Sequence, residues 1–307
     1  MDRVTTFLAS QSAMLNLLAA ESRQNDAQQQ VSTGKLATDL KGFGHQAEAL
    51  TAAKTLKNRV DGFVDSAKTL ASKLDAQNLA LSQVADSAQG AKDAISNAIA
   101  TGHADGLMAA MQSFFGEAAQ SLNTQFDGQY LFAGGQTAAA PVAVNSLAQL
   151  PAAAPSDMFK NDQLKPVAQI DEATTLQTGF LASDVGGDIF DAFKQMQVFQ
   201  QGPNGPFDGE LTEAQTTFLK GMLNTFGAAA SGAVDVTAQN GLLQNRVDQV
   251  GKTQADRQDM LEGMIGGITD VDVAEAVSNL SQAQIAVQAS AQVYASLRNT
   301  SLLDFLK

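Results

Sequence analysis

Few residues of this 307-residue chain could do chemistry, and none of them forms a catalytic set. The two histidines, His45 and His103, lie in glycine-containing segments and could act as a base or a metal ligand. Neither has a second ligand at a metal-binding spacing, so exposed loop positions are the simpler interpretation. Cysteine is absent, which excludes a thiolate zinc site, a cysteine nucleophile and a disulfide framework. We therefore expect no enzyme, no cofactor and no metal site.

Two short segments resemble ligand sites only in composition. Asp270 and Asp272 could attract a cation, but capping of a following helix explains these residues more simply. The segment "FAGGQT", residues 132–137, is rich in glycine but lacks both the GxxxxGK[ST] pattern and a GxGxxG after a strand. It therefore predicts a turn rather than a phosphate site.

The charge of the chain excludes further classes of function. There are 32 acidic and 19 basic residues, which gives a net charge of −13. Phosphate contacts and anionic lipid surfaces both need clustered lysine and arginine, so we expect neither nucleic-acid binding nor membrane insertion. No stretch approaches the roughly 18 apolar residues of a transmembrane helix, and the N-terminal segment is a poor signal peptide.

The elements that position these residues are mainly helical. All six prolines lie between Pro141 and Pro206, which indicates two helical arms around a different middle. In the first arm, apolar residues recur every seven positions, as in a coiled coil. One series is Val60, Ala67, Leu74, Leu81, Ala88 and Ile95, and the neighbouring series is Leu56, Phe63, Leu70, Gln77, Val84 and Ala91.

Both ends of the chain carry amphipathic helices that have no partner within their own arm. The glycine pair Gly266–Gly267 predicts the end of one helix, and Asp272 with Glu275 resembles a capping box that begins the last one. We expect the terminal helices to pack on each other or on other copies of the protein. The assembly residues predicted on them are Phe7, Leu8, Met14, Leu15, Leu18, Val273, Leu280, Val287 and Tyr294.

The middle segment, residues 138–236, differs from the arms. It contains short segments separated by turn signals, with strands predicted near residues 167–170 and 176–180 and a helix through Ile189 and Phe193. The stretch from 137 to 235 has 11 acidic and 4 basic residues, so it supplies about half of the net charge. A small acidic insertion between helical arms predicts a surface module.

The segment "SLNTQFDGQYLFAGGQT", residues 121–137, reads as helix up to Phe126 and then changes to glycine and aromatic residues. It resembles a segment of bacterial flagellins and of flagellar hook-associated protein 3, the hook–filament junction family, of the form N-G-[RQ]-Y-[LI]-F-[AG]-G. Asp127 replaces the usual asparagine. The matching residues are Gly128, Tyr130, Leu131, Phe132, Ala133 and Gly134.

Both ends of the chain extend this resemblance to about two thirds of its length. "QQQVSTGKLATDL" resembles the turn after the first helix of that family, and the last 38 residues resemble its closing helix. The markers in the closing helix are Asp272, Ala274, Glu275, Leu280, Gln288, Ala289, Ser290 and the final "SLLDFL". Where flagellins usually carry R-[IL]-x-x-A-x-D-D-[AP], this chain has "LKGFGHQAEAL", which favours a junction protein over a filament flagellin.

The resemblance implies a mainly α fold. Long coiled-coil-like helices from both termini form a rod-like bundle, and a small mixed α/β insertion lies in the middle of the chain. The expected segments are an inner-core helix (1–45), the first rod arm (46–137), the insertion (138–236), the second rod arm (237–267) and a second inner-core helix (268–307). The predicted exit from the rod into the insertion is a glycine-permitted turn formed by Asp127, Gly128, Tyr130, Phe132 and Gly134.

The resemblance also implies a function that needs no chemistry. It predicts an extracellular structural subunit of the bacterial flagellum, first of all the hook–filament junction protein, exported without a cleaved signal peptide. The implied partners are other copies, the hook, a neighbouring hook-associated protein, flagellin and an export chaperone. A filament-forming flagellin is the alternative within this class. In another class, the chain could be a surface-displayed ligand-binding protein or adhesin whose acidic insertion captures a ligand.

Overall fold

The computed structural model describes the backbone of residues 2–305 and the side chains of residues 8–154 and 156–298. The chain is mainly α-helical with long helices from both termini, as the sequence predicts. The helices are α1 (Asp2–Thr33), α2 (Ala47–Thr101), α3 (Leu107–Leu122), α4 (Pro155–Met158), α5 (Ala182–Gln201), α6 (Glu213–Thr269) and α7 (Val273–Phe305). Two separate antiparallel strand pairs join β1 (Gln125–Phe126) to β2 (Gln129–Tyr130) and β3 (Val167–Gln169) to β4 (Thr175–Gln177).

The chain divides into two compact units. One, which we call the terminal unit, consists of Met1–Val60 and Asp256–Lys307, and the other, the central unit, is Asp61–Ala255. The division falls within α2 and α6, so each of these helices contributes residues to both units. The predicted five-segment division concerns the role of each segment and stays a prediction.

In the terminal unit, α1 and α7 pack directly against each other. The segment between α1 and α2 contains a 3-10 helix, Leu40–Gln46, that buries Phe43. Asp39 begins this helix, because its carboxylate accepts a hydrogen bond from the backbone N–H of Gly42 at 3.1 Å. Such a side-chain acceptor satisfies a backbone donor that would otherwise have no partner at the start of a helix.

Helix α2 confirms the predicted heptads. Every member of the first series is buried. In the second series Leu70, Gln77, Val84 and Ala91 are buried and Phe63 is half-buried, whereas Leu56 is exposed. Within the central unit α2 and α6 are antiparallel, since Ala67 lies beside Gly251 and the carbonyl of Leu74 accepts from the Asn240 amide.

The core of the central unit is built around phenylalanine. Phe193 packs edge-on against Phe115 and Phe226, with ring centroids 5.7 and 5.0 Å apart, and Phe190 packs in the same way on Phe115 at 5.1 Å. All four rings are fully buried. Edge-to-face contacts of this kind add specific attraction to the burial of apolar area. The predicted helix through Ile189 and Phe193 is thus confirmed as α5, with its apolar face in this core.

The hairpin β3–β4 lies in the segment predicted to be mixed, and both of its strands were expected. Its turn is held by the Asp171 carboxylate, which accepts hydrogen bonds from the backbone of Ala173 and Thr174 at 2.7 and 2.6 Å. Ile170 is fully buried in a small apolar cluster with residues of α2 and α6, including Leu74 and Val247. The hairpin therefore fastens part of the insertion to the long helices of the central unit.

Two predicted helix ends were wrong. The helix expected to reach Phe126 ends at Leu122, because Asn123 pairs its side-chain amide with both backbone groups of Val142 at 2.9 and 3.1 Å and draws the chain away. The pair Gly266–Gly267 does not end α6, whose last backbone hydrogen bond runs from the N–H of Asp270 to the carbonyl of Gly266 at 2.7 Å. Glycine lowers helix propensity without forbidding helix.

Candidate assembly surface

Alanine forms the contact between α1 and α7. Residues seven apart lie on one face of a helix, and small side chains allow two helices to approach closely. Among the described side chains of both helices, the buried positions follow this spacing and are alanine. They are Ala13, Ala20 and Ala27 on α1 and Ala276 and Ala283 on α7, which we call the alanine seam. The sequence prediction passed over these residues because it searched for large apolar side chains, although their seven-residue spacing was visible.

Five of the large apolar residues predicted for assembly are exposed on the same two helices. Leu8, Met14, Leu15 and Leu18 on α1 and Val273 on α7 are exposed, with Leu15 at 61% and Val273 at 56% of full exposure. Leu280, Val287 and Tyr294 are half-buried. The side chain of Phe7 lies outside the part of the structure that is described. The fold therefore satisfies the alanine face of α1 internally and leaves its leucine-rich face open, which is unusual for a soluble surface.

The chain segments after α1 and before α7 are tied together. Gly34 and Leu36 form backbone hydrogen bonds with Val271 and Thr269 at 3.0 and 2.7 Å, as in a short antiparallel bridge. The Lys35 ammonium pairs with the Asp270 carboxylate across this bridge. Hydrogen bonds from Lys35, and then from Thr269, hold the pKa of Asp270 below its usual value. Lys35 lies 234 positions before Thr269 and 235 before Asp270 in the sequence. Its contacts with these two residues thereby fix where α1 ends and α7 begins.

The two aspartates considered for a cation site have separate structural roles. Asp270 bonds to Lys35, as above, and Asp272 caps α7. The Asp272 carboxylate accepts from the backbone N–H groups of Ala274 and Glu275 at 2.9 and 3.3 Å. The expected cap is therefore confirmed. Within the described residues, no group of three or more histidine, aspartate or glutamate side chains could hold a metal ion.

The predicted exit turn is a two-residue hairpin loop. Asp127 and Gly128 both have positive φ, 51° and 73°, between the paired strands β1 and β2. Two consecutive left-handed residues in a two-residue loop are the mark of a type I′ turn, in which asparagine or aspartate followed by glycine is preferred. The "DG" pair therefore reverses the chain because it tolerates this backbone conformation.

After this turn, the burial of Phe132 and hydrogen bonds to the Asp162 carboxylate hold the chain in place. Phe132 is fully buried and Tyr130 is half-buried. Gly134 has φ 70°, and a Cβ on it would collide with Asp162. The Asp162 carboxylate accepts hydrogen bonds from the backbone N–H groups of Gly135 and Leu164 at 2.9 and 3.0 Å. The glycine pair of "FAGGQT" thus makes room for a side chain that the sequence prediction did not identify.

The two histidines are not part of a site. His45 is exposed at the end of the 3-10 helix, and His103 is exposed after α2, with its Nδ1 3.7 Å from an Asp105 carboxylate oxygen. A single histidine–carboxylate contact on the surface supplies neither a nucleophile nor a second metal ligand. No helix of the described part of the chain is long and apolar enough to span a bilayer.

Comparison with known proteins agrees with this geometry. Residues 223–306 match the family described as the bacterial flagellin C-terminal helical region. These residues comprise most of α6 and the whole of α7, including the segment before α7 and the C-terminal half of the alanine seam. A comparison with curated proteins gave no match.

Two solved structures have the same fold over most of the chain. A flagellar hook-associated protein from Vibrio parahaemolyticus is 14% identical with a TM-score of 0.61, and the match covers 73% of this chain and 97% of that one. FlgL from Bacillus cereus is 13% identical with a TM-score of 0.54, and the match covers 70% and 98% of the two chains. The resemblance expected from the sequence is therefore confirmed: residues 223–306 are similar to the C-terminal helical region of bacterial flagellins, and the chain has the fold of flagellar hook-associated proteins.

Proposed function

We propose that this protein is a structural subunit of the bacterial flagellum, and specifically a hook–filament junction protein that acts only through protein–protein contacts. The observation that carries the proposal is the open leucine-rich face of α1, opposite a contact with α7 whose buried positions, among the described side chains, are alanine. The similarity in fold to a hook-associated protein supports the flagellar part of the proposal, and the segment "LKGFGHQAEAL" supports the junction.

The mechanism follows from how apolar area is divided between the two helices. The alanine seam holds α1 and α7 together within one copy but buries little area per residue. The exposed residues Leu8, Met14, Leu15, Leu18 and Val273 are left for neighbouring subunits. Burial of each such side chain stabilises a contact by about 1.5–3 kcal/mol. Several of them on each subunit suffice to join subunits without a catalytic or cofactor-dependent step.

The proposed partners are other copies of the chain, the hook, a neighbouring hook-associated protein and flagellin. A further proposed partner is an export chaperone, which covers the open face of α1 before assembly. The protein acts outside the cell in this scheme, exported without cleavage of a signal peptide. Such an assembly needs no enzyme activity.

A binding assay with two paired variants tests the proposal. The purified protein is mixed with isolated hook–basal bodies or with short filament fragments, sedimented, and viewed by electron microscopy. Leu15→Asp places a charge on the open face of α1, where burial without a partner is costly, so we expect binding to weaken about tenfold or more.

The matched control for Leu15→Asp is Asn16→Asp. It adds the same charge one position away, about 100° around the helix, at a residue that is already polar and exposed. We expect the control to bind as the unchanged protein does, and both variants to keep the same helical circular dichroism. Equal binding by Leu15→Asp and the unchanged protein would contradict the proposed surface.

A filament-forming flagellin is the second candidate, favoured by the match of residues 223–306 to flagellins. The same assay separates the two. A junction protein binds hook ends in a short zone and stops, whereas a flagellin grows long filaments from seeds of its own kind. Binding to neither surface, together with capture of a ligand by the intact protein, would favour the adhesin.

A further inference from the structure

Most methionines whose side chains the structure describes are either almost fully buried or strongly exposed. The chain has nine methionines and no cysteine, so all of its sulfur is thioether sulfur. In the central unit, four methionines are at most 2% exposed, and Met108 is half-buried. The four are Met111, Met158, Met196 and Met222. The side chain of Met1 is outside the described residues.

Among the described side chains, the exposed methionines belong to the terminal unit. Met14 on α1 is 48% exposed, and Met260 and Met264 in the last turns of α6 are 63% and 53% exposed. Met260 and Met264 are four residues apart on one helix, so they lie on the same face. Met14 is likewise four residues before Leu18 on the open face of α1.

We propose that, among the methionines whose side chains the structure describes, Met14, Met260 and Met264 are the first to be oxidised, and that oxidation of Met14 by hydrogen peroxide blocks subunit association. The second part rests on the proposed function. The thioether sulfur forms a bond to one peroxide oxygen, the O–O bond breaks, and the other oxygen leaves as water. Sulfur is oxidised to the sulfoxide and the peroxide is reduced, so no further reactant is needed.

Exposure determines which sulfur atoms react. Oxidation of a methionine requires the peroxide to reach the sulfur atom, and it converts a flexible apolar side chain into a polar one. The four buried methionines are covered by the phenylalanine-rich core and are protected as long as the central unit stays folded. The reaction therefore takes place in the terminal unit before assembly, while Met14 is still accessible.

Oxidation of Met14 affects association because Met14 lies on the open face of α1. Its sulfur belongs to the apolar face that assembly buries in the proposed function, so a sulfoxide there places a polar oxygen inside the contact without a hydrogen-bond partner. We expect about a tenfold rise in the protein concentration needed for half-maximal association. Reduction of the sulfoxide by methionine sulfoxide reductases restores association, since the modification is reversible.

Three proteins test this inference: the unchanged chain, Met14→Leu, and the double variant Met260→Leu with Met264→Leu. Leucine keeps the volume and apolar character of methionine but cannot be oxidised, so each change preserves the fold. Every protein is treated with hydrogen peroxide for graded times and divided into two samples. Peptide mass spectrometry measures the oxidation of each methionine, and the hook and filament sedimentation assay measures association.

We expect Met14, Met260 and Met264 to be oxidised first while the four buried methionines stay reduced. Relative to its own untreated sample, the peroxide should weaken association of the unchanged chain and of the double variant about equally, whereas it should weaken association of Met14→Leu much less. Oxidation of the buried methionines at the same rate would overturn the assignment of sites. Equal sensitivity of Met14→Leu and the unchanged chain would overturn the role of Met14. If untreated protein binds no axial surface, the proposed function fails, and the order of oxidation alone decides the assignment.

Discussion

At the scale of single residues, backbone conformation decides what the exit turn requires. Asp127 and Gly128 adopt positive φ in a loop of two residues, a conformation that costs an ordinary L-residue about 1–2 kcal/mol. Aspartate at position 127 adopts this conformation at a lower free-energy cost than most L-residues. The flagellar segment that it resembles has asparagine there. The turn is therefore fixed by local sterics rather than by contacts of its side chains.

Two glycine substitutions measure this effect with opposite signs. A Cβ on Gly128 or on Gly116 would meet no atom within 4 Å, so packing does not distinguish the two positions. Gly128→Ala should lower the free energy of unfolding by about 1 kcal/mol because of its positive φ. Gly116→Ala, inside α3, should raise it by up to about 1 kcal/mol through helix propensity. Urea unfolding of both variants gives the values, and a stabilised Gly128→Ala would contradict the turn assignment.

The Lys35–Asp270 pair is the second feature that belongs to the residue scale. The pKa of Asp270 is lowered in the folded chain by its hydrogen bonds from Lys35 and Thr269. A lowered folded-state pKa means that the stabilisation is complete above the unfolded-state pKa and is lost as the pH falls through the folded-state value. We therefore expect hydrogen exchange at the Leu36 and Val271 amides to accelerate in acid, relative to the intrinsic rate.

Asp270→Asn should remove this part of the pH dependence, and Lys35→Met should reduce it. In a double-mutant cycle the two changes should not be additive, because each removes the same contact. An acid response of the Asp270→Asn variant equal to that of the unchanged protein would show that another group is responsible.

At the scale of elements, the hairpin β3–β4 depends on one buried side chain. Ile170 is fully buried against α2 and α6, whereas Val167 on the same hairpin is 69% exposed. This pair compares two branched apolar residues three positions apart in the same segment. The difference between them isolates the contribution of packing from that of strand propensity.

We expect Ile170→Ala to lower the free energy of unfolding by about 2–5 kcal/mol, the range for large apolar residues truncated in a core. Val167→Ala should change it by less than about 0.5 kcal/mol, as is usual for exposed positions. Denaturant unfolding of the full chain measures both. Similar losses for the two variants would mean that the hairpin does not pack on the helices as described.

At the scale of the whole molecule, charge opposes the association of like subunits. Each copy carries a net charge of −13, and much of it belongs to the acidic insertion. Repulsion between such copies is screened by salt, because the Debye length falls from about 30 Å at 0.01 M to about 8 Å at 0.15 M. In the proposed assembly, burial of the open apolar face then determines whether subunits associate.

Association of the unchanged protein should therefore strengthen as sodium chloride is raised from about 0.01 to about 0.15 M. Sedimentation at fixed protein concentration measures this, with potassium chloride at equal ionic strength as a control for ion-specific effects. Association that weakened with salt would indicate attraction between opposite charges, and would contradict an assembly driven by the open apolar face.

The sequence by itself determined the features that depend on near neighbours along the chain. Heptad spacing determined the long helices, the "DG" pair determined the exit turn, and Asp272 determined the start of α7, because propensity, capping and φ are local properties. The absence of cysteine and the two scattered histidines are the local observations on which the expectation of no enzyme rests, and that expectation stays a prediction. The flagellar resemblance rested on the same local motifs.

Tertiary structure decided which face of each helix is covered and which distant side chains meet. The periodic spacing of apolar residues in the sequence predicts that Leu15 and Val273 lie on apolar helix faces. Such spacing indicates only which residues share a face, not what packs on that face. The close approach of α1 and α7 buries the small residues Ala20 and Ala283 in the internal contact and leaves Leu15 and Val273 exposed. In the same way, the pairing of Lys35 with Asp270 exists only because the folded chain brings together residues 235 positions apart.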